Sequence, residues 1–145
     1  MSELADALRV ALADSYAFSL KAQNYHWNVT GISFAEHHKF FGKLYSEVQD
    51  GVDGIAESIR TLDEFSPGSF TRFKELTTIE DELKIPAVEK MLSNLAADNV
   101  KVLATLHKAY MLAEKQMKHG ISNYIQDRIT AHEKHGWMLR SFTKA

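Results

Sequence analysis

The 145-residue sequence predicts an all-α protein: a four-helix bundle with a long connector between its second and third helices. Three observations predict it. Only two prolines occur, Pro67 and Pro86, and both fall in the middle of the chain. No obligate helix breaker therefore interrupts the long stretches on either side. Those stretches repeat apolar residues at helical spacing. Between them, residues 64–85 carry the turn signal Ser66-Pro67-Gly68-Ser69, in a connection longer than antiparallel neighbours require.

The elements follow in order. Leu4, Leu8 and Leu12, with Ala11, form an i,i+4 stripe on a first helix over about 3–29, which Gly31 ends. Ser33 and Glu36 make an S-x-x-E capping box for the second helix. That helix runs to about Asp63 and carries Phe34, Phe41, Leu44, Val48, Val52, Ile55 and Ile59. It also holds Gly42, Gly51 and Gly54, a weak composition for a long helix. Either a partner helix approaches closely there, or the weakness is tolerated. The connector has room for a short helix near Phe70–Leu76. Pro86 suits the first turn of the third helix, whose buried stripe is Val88, Leu92, Leu95, Val102, Leu106 and Tyr110, with Gly120 as its end. Ser122 is placed to cap the fourth helix, which carries Ile125, Ile129, His132 and Leu139 along one side. No repeat or composition shift divides the chain, so residues 1–145 read as one domain.

Composition narrows the function classes. Net charge is −2, with no basic cluster to drive phosphate binding. Two or three residues, Glu3 among them, precede the first helix, and Thr143-Lys144-Ala145 offers one lysine. Direct DNA binding is therefore not expected. With no cysteines there is no disulfide framework and no thiolate metal site, which fits a reducing compartment. The acidic N-terminus does not read as a signal peptide. No apolar run approaches the roughly 20 residues of a membrane span. A cytoplasmic location without membrane association is expected.

Chemistry concentrates in four residues. His26 and His38 are twelve apart, and Asp53 and Glu57 lie fifteen and nineteen beyond His38. All four side-chain types bind transition metals. Asp53 and Glu57 share one helical face. The histidines flank the turn-like segment 28–33, so on antiparallel helices they stand at similar height. On one continuous helix, however, His38 and Asp53 are separated by roughly 22 Å. A two-fold axis between the pairs would bring the histidines of one chain to the carboxylates of another. The plain alternative is two core histidines and an exposed acidic patch.

Beyond these four, His26-Trp27-Asn28-Val29-Thr30-Gly31, Phe34, Phe40, Tyr45, Ala56 and Ile59 complete a motif block. Together with His132-Glu133-Lys134-His135-Gly136-Trp137-Met138-Leu139-Arg140 near the C-terminus, it resembles the Dps family of mini-ferritins over residues 4 to 143. The resemblance implies a ferritin-like four-helix subunit in a hollow homo-dodecamer. It implies ferroxidase sites at the two-fold interfaces, with His26, His38, Asp53 and Glu57 as both catalytic and metal-binding residues. Fe(II) would be oxidised there, with hydrogen peroxide as preferred oxidant, and stored as Fe(III) to limit oxidative damage. Zinc or another divalent metal would suit the same ligands.

One position departs from the family. Four residues after His38, where an acidic ligand is usual, stands Gly42. A second metal would be held less well, and Gly42→Asp is expected to strengthen it. Two other classes stay open: a metal-binding or structural shell with weakened oxidation, and a DNA-associated protein. The remaining candidates have bland readings. Trp27 would take up oxidising equivalents or simply pack. Trp137 and Met138 read as packing residues, and His132 and His135 as a solvated or subunit-contact face. His37 points away from His38, and Asp127 reads as a surface acid.

Overall fold

A computed structural model describes residues 2–144; Met1 and Ala145, the outermost residues of the two tails, lie outside the described residues. Six helices form: α1 (Glu3–Asn28), α2 (Phe34–Asp50), α3 (Val52–Thr61), α4 (Phe70–Leu76), α5 (Val88–Lys115) and α6 (His119–Thr143). There is no strand among the described residues. α1 packs against the α2–α3 arm and against α5, and α5 packs against α6, which closes a four-membered bundle. The stripe Leu4, Leu8, Ala11 and Leu12 is fully buried, together with Phe41, Ile55, Leu95, Leu106 and Ile125 from the other arms. No helix of the described residues is long and apolar enough to cross a membrane.

The connector runs the length of the bundle along α1, and its partners on α1 show the direction. Glu64 meets Ser2 and Arg9 at the start of α1. Thr77 and Thr78 converge on the buried carboxylate of Asp14, with donor distances of 2.6–2.8 Å. Glu82 accepts the Tyr25 hydroxyl near the far end, 2.6 Å away. α5 therefore begins beside the end of α1 and runs back antiparallel to it. Three charge-assisted bonds on Asp14 explain how its carboxylate can be buried without penalty.

Local signals fared unevenly. The short helix at Phe70–Leu76 lies where the sequence places it, capped by Ser69 accepting from the Arg72 backbone. The capping box at Ser33 does not form. Ser33 is left-handed (φ 64°) and makes no side-chain cap bond, because a capping side chain needs the extended backbone that Ser33 lacks. It belongs instead to a tight reversal with Gly31 (φ 109°), whose carbonyl accepts from Phe34. Pro86 precedes α5 rather than entering its first turn. α5 ends before Gly120, at Lys115, where Met117 (φ 58°) is the left-handed residue. The Lys118 and Met117 amides close back on Ala113 and Glu114, the paired bonds of a Schellman end. Gly120 lies in the first turn of α6, and Ser122, a predicted cap, is buried inside that helix with its hydroxyl donating to His119.

The predicted second helix is broken in two at Gly51. The cause lies on α6. The Tyr124 hydroxyl donates to the Gly51 carbonyl over 2.7 Å, taking an acceptor from the helical ladder. The Arg128 guanidinium lies where a side chain at 51 would begin, 2.5 Å from an ideal Cβ. At Gly54 an added Cβ would clash with the hydroxyl-bearing edge of the Tyr124 ring. Gly51 and Gly54 are thus seats for side chains of α6, which answers for two of the three glycines.

Candidate metal centre

His26 closes α1 and His38 opens the second turn of α2, so the tight reversal between them sets the rings face to face. The imidazoles stack with centroids 3.9 Å apart and planes within 15°. Each is tied to the other's backbone: His26 Nδ1 lies 2.6 Å from the His38 carbonyl, and His38 Nδ1 lies 2.7 Å from the His26 carbonyl. A carbonyl can only accept, so both Nδ1 atoms carry the proton. In the neutral ring that leaves each Nε2 with a free lone pair, the form in which histidine binds a metal. Phe34 stacks beyond His38, 5.2 Å away, and Tyr45 flanks His26 at 5.4 Å. The pair is half-buried and held from both sides.

Asp53 and Glu57 stand one turn apart on α3, both exposed. Among the described residues, no three His, Cys, Asp or Glu side chains lie close enough to hold a metal. Within one chain the structure therefore assembles the histidine pair and leaves the carboxylates elsewhere. The chemistry of the donors nonetheless suits a divalent transition ion: two pre-oriented imidazoles and two accessible carboxylates.

Gly42 lies one turn beyond His38, and the His26 ring sits over it. A Cβ built there would lie 2.9 Å from both Cε1 and Nδ1 of His26. His26 thus occupies the space that a side chain at 42 would need, which spacing alone did not reveal.

Other candidates are corrected. His132 is fully buried rather than solvated, hydrogen-bonded through Nδ1 to Asn99 at 2.8 Å. Burial pushes its pKa down to about 3. His135 and Arg128 instead bind Glu47, with contacts of 2.6 Å each. Burial raises the Glu47 carboxyl, but hydrogen bonds from His135 and Arg128 outweigh it and hold it well below the usual range. The sequence reading missed this cluster, since its members are 81 and 88 residues apart with no local pattern. Trp27 and Trp137 are 61% and 59% exposed, so neither packs in its own core. His37 leans on Phe142, and Asp127 is exposed as expected.

This fold and this paired-histidine arrangement define the class: the chain belongs to the ferritin-like domain family, whose model matches residues 5–145. Within that family it belongs with the Dps proteins. It is 28% identical to DNA protection during starvation protein 2 of Bacillus anthracis, over 97% of this chain and 96% of that one. It is 31% identical to a low temperature-induced protein of Nostoc sp., over 90% of this chain and 74% of the relative. The crystal structure of the Dps protein from Vibrio cholerae O1, described as a member of a broad superfamily of ferritin-like diiron-carboxylate proteins, superposes with a TM-score of 0.93. It shares 29% identity, over 98% of this chain and 89% of that one. Iron sequestration and stress protection follow from this membership.

Proposed function

We propose that the protein oxidises Fe(II) at sites shared between subunits and stores the Fe(III) product inside a dodecameric shell. The observation that carries this is the reciprocal locking of His26 and His38, which leaves two Nε2 lone pairs uncommitted. Asp53 and Glu57 of a second copy would complete the ligand set, because one chain keeps the two pairs apart. Exposed Trp27, Phe70 and Leu83 support a buried subunit contact.

In this reading the imidazoles bind Fe(II) as substrate and leave coordination positions open to the oxidant. One hydrogen peroxide takes an electron from each of two Fe(II) ions, which a one-ion site would supply in succession, and, with two protons, leaves as two waters. The carboxylates are hard anionic donors and favour the ferric product. Chemistry of this kind belongs in the cytoplasm, where Fe(II) is available. Direct DNA binding forms no part of the proposal, given the net charge of −2. The reading with weakened oxidation draws support from Gly42.

Peroxide-dependent Fe(II) oxidation is the test. The double variant His26→Ala, His38→Ala should assemble normally yet lose fast oxidation. Wild-type rates in that variant would show that these histidines are not ligands.

A further inference from the structure

We propose that Gly42 is a positioning residue: its bare Cα seats the His26 ring in the pose locked against His38, so the site keeps a rigid imidazole pair without a carboxylate at 42 and holds a single divalent ion. This inference rests on the reading of His26 and His38 as ligands.

The geometry is specific. Three neighbours surround the His26 ring: His38 at 3.9 Å, Tyr45 at 5.4 Å, and the backbone of α2 at Gly42. The ring closes over position 42 closely enough that a Cβ would lie 2.9 Å from Nδ1, with Nε2 farther off at 3.7 Å. Nδ1 is the atom whose bond to the His38 carbonyl sets the tautomer. Any side chain at 42 therefore meets the Cε1–Nδ1 edge of the ring, which carries the locking atom. The His26 ring cannot give way without cost, because it and the His38 ring are each tied to a backbone carbonyl. An aspartate at 42 would have to shift this imidazole from its locked pose before it could add a ligand. The sequence-based expectation that Gly42→Asp rebuilds a second metal position is thereby reversed.

Glycine in a helix interior is otherwise unfavourable relative to alanine. That sets up a test of sign which needs no metal. Gly42→Ala should lower the thermal midpoint of the assembled protein in the presence of His26. In the His26→Ala background, where the seat is empty, the same substitution should raise it. A rise in both backgrounds, or a loss of folding in both, overturns the proposal. Failure to fold only when His26 is present supports it.

Metal binding supplies the second readout, with Co(II) titrated into metal-free assembled protein. The wild type should bind one ion per site. Gly42→Ala and Gly42→Asp should each weaken that ion at least ~10-fold, about 1.4 kcal/mol, and Gly42→Asp should gain no second tight ion. Adding Gly42→Ala to His26→Ala should weaken binding no further. Wild-type affinity in Gly42→Ala, or two tight ions in Gly42→Asp, would refute the role of Gly42 alone. Unchanged Co(II) binding in the His26→Ala, His38→Ala variant would instead refute the ligand reading beneath it.

Discussion

His132 shows how far a residue's chemistry depends on where it lies. In the sequence it sits three residues before His135, and the two look like one motif. In the structure His135 pairs with the Glu47 carboxylate, while His132 is sealed in the core against Phe18 and Asn99. Its pKa falls from 6.5 to about 3. Between those values the unfolded chain binds the extra proton, so stability must fall as pH drops through that window. Glu47, whose pKa is also depressed, contributes in the same direction, but its share is lost only below about 4.5. The interval from 4.5 to 6.5 therefore isolates His132. We expect His132→Gln, which does not titrate, to flatten the loss of stability over that interval. Urea midpoints at two pH values inside it measure this. An unchanged slope would mean that other groups carry the acid limb.

At the scale of elements, the α2–α3 arm is shaped by what crosses to it. His26 from α1 sits over Gly42, while Arg128 and Tyr124 from α6 sit over Gly51 and Gly54. The break at Gly51 separates α3, which carries Asp53 and Glu57, from the helix that bears His38. Removing the Tyr124 hydroxyl by Tyr124→Phe should cost about 1 kcal/mol, since the Gly51 carbonyl loses its partner. Gly54→Ala would gain about 1 kcal/mol if helix propensity alone mattered. Because the added methyl would clash with the Tyr124 ring, we expect a net loss instead, reversed when Tyr124→Ala empties the space. Chemical denaturation of the single and double variants decides it, and additive effects would exclude the seat.

At the scale of the whole molecule, the proposed division of the site between chains makes a sharp prediction. Co-express a His26→Ala, His38→Ala subunit with an Asp53→Ala, Glu57→Ala subunit. Each two-fold contact between the two types then holds one site with no ligands and one with all four. Each variant alone should oxidise Fe(II) slowly, and the mixed shell should regain part of the wild-type rate. No recovery, in a shell shown to contain both subunits, would mean that the four residues do not meet across an interface.

The all-α class, the four long stretches, the connector and its short helix were legible because periodicity and turn chemistry are local. That His26 and His38 stand at similar height across a turn was legible too, and the structure brings their rings together. Helix ends read less well: Ser33, Gly120 and Ser122 have the right chemistry for caps, but the chain turns at Met117 and in the Gly31–Ser33 reversal. Backbone closure there depends on how the helices must meet. Only the tertiary structure decided why three glycines occupy one arm, why that arm breaks at Gly51, and that His26 and His38 lock each other. Each of those facts is a contact between residues distant in sequence or on different helices. Spacing places side chains along a helix, but packing decides which of them share the same space.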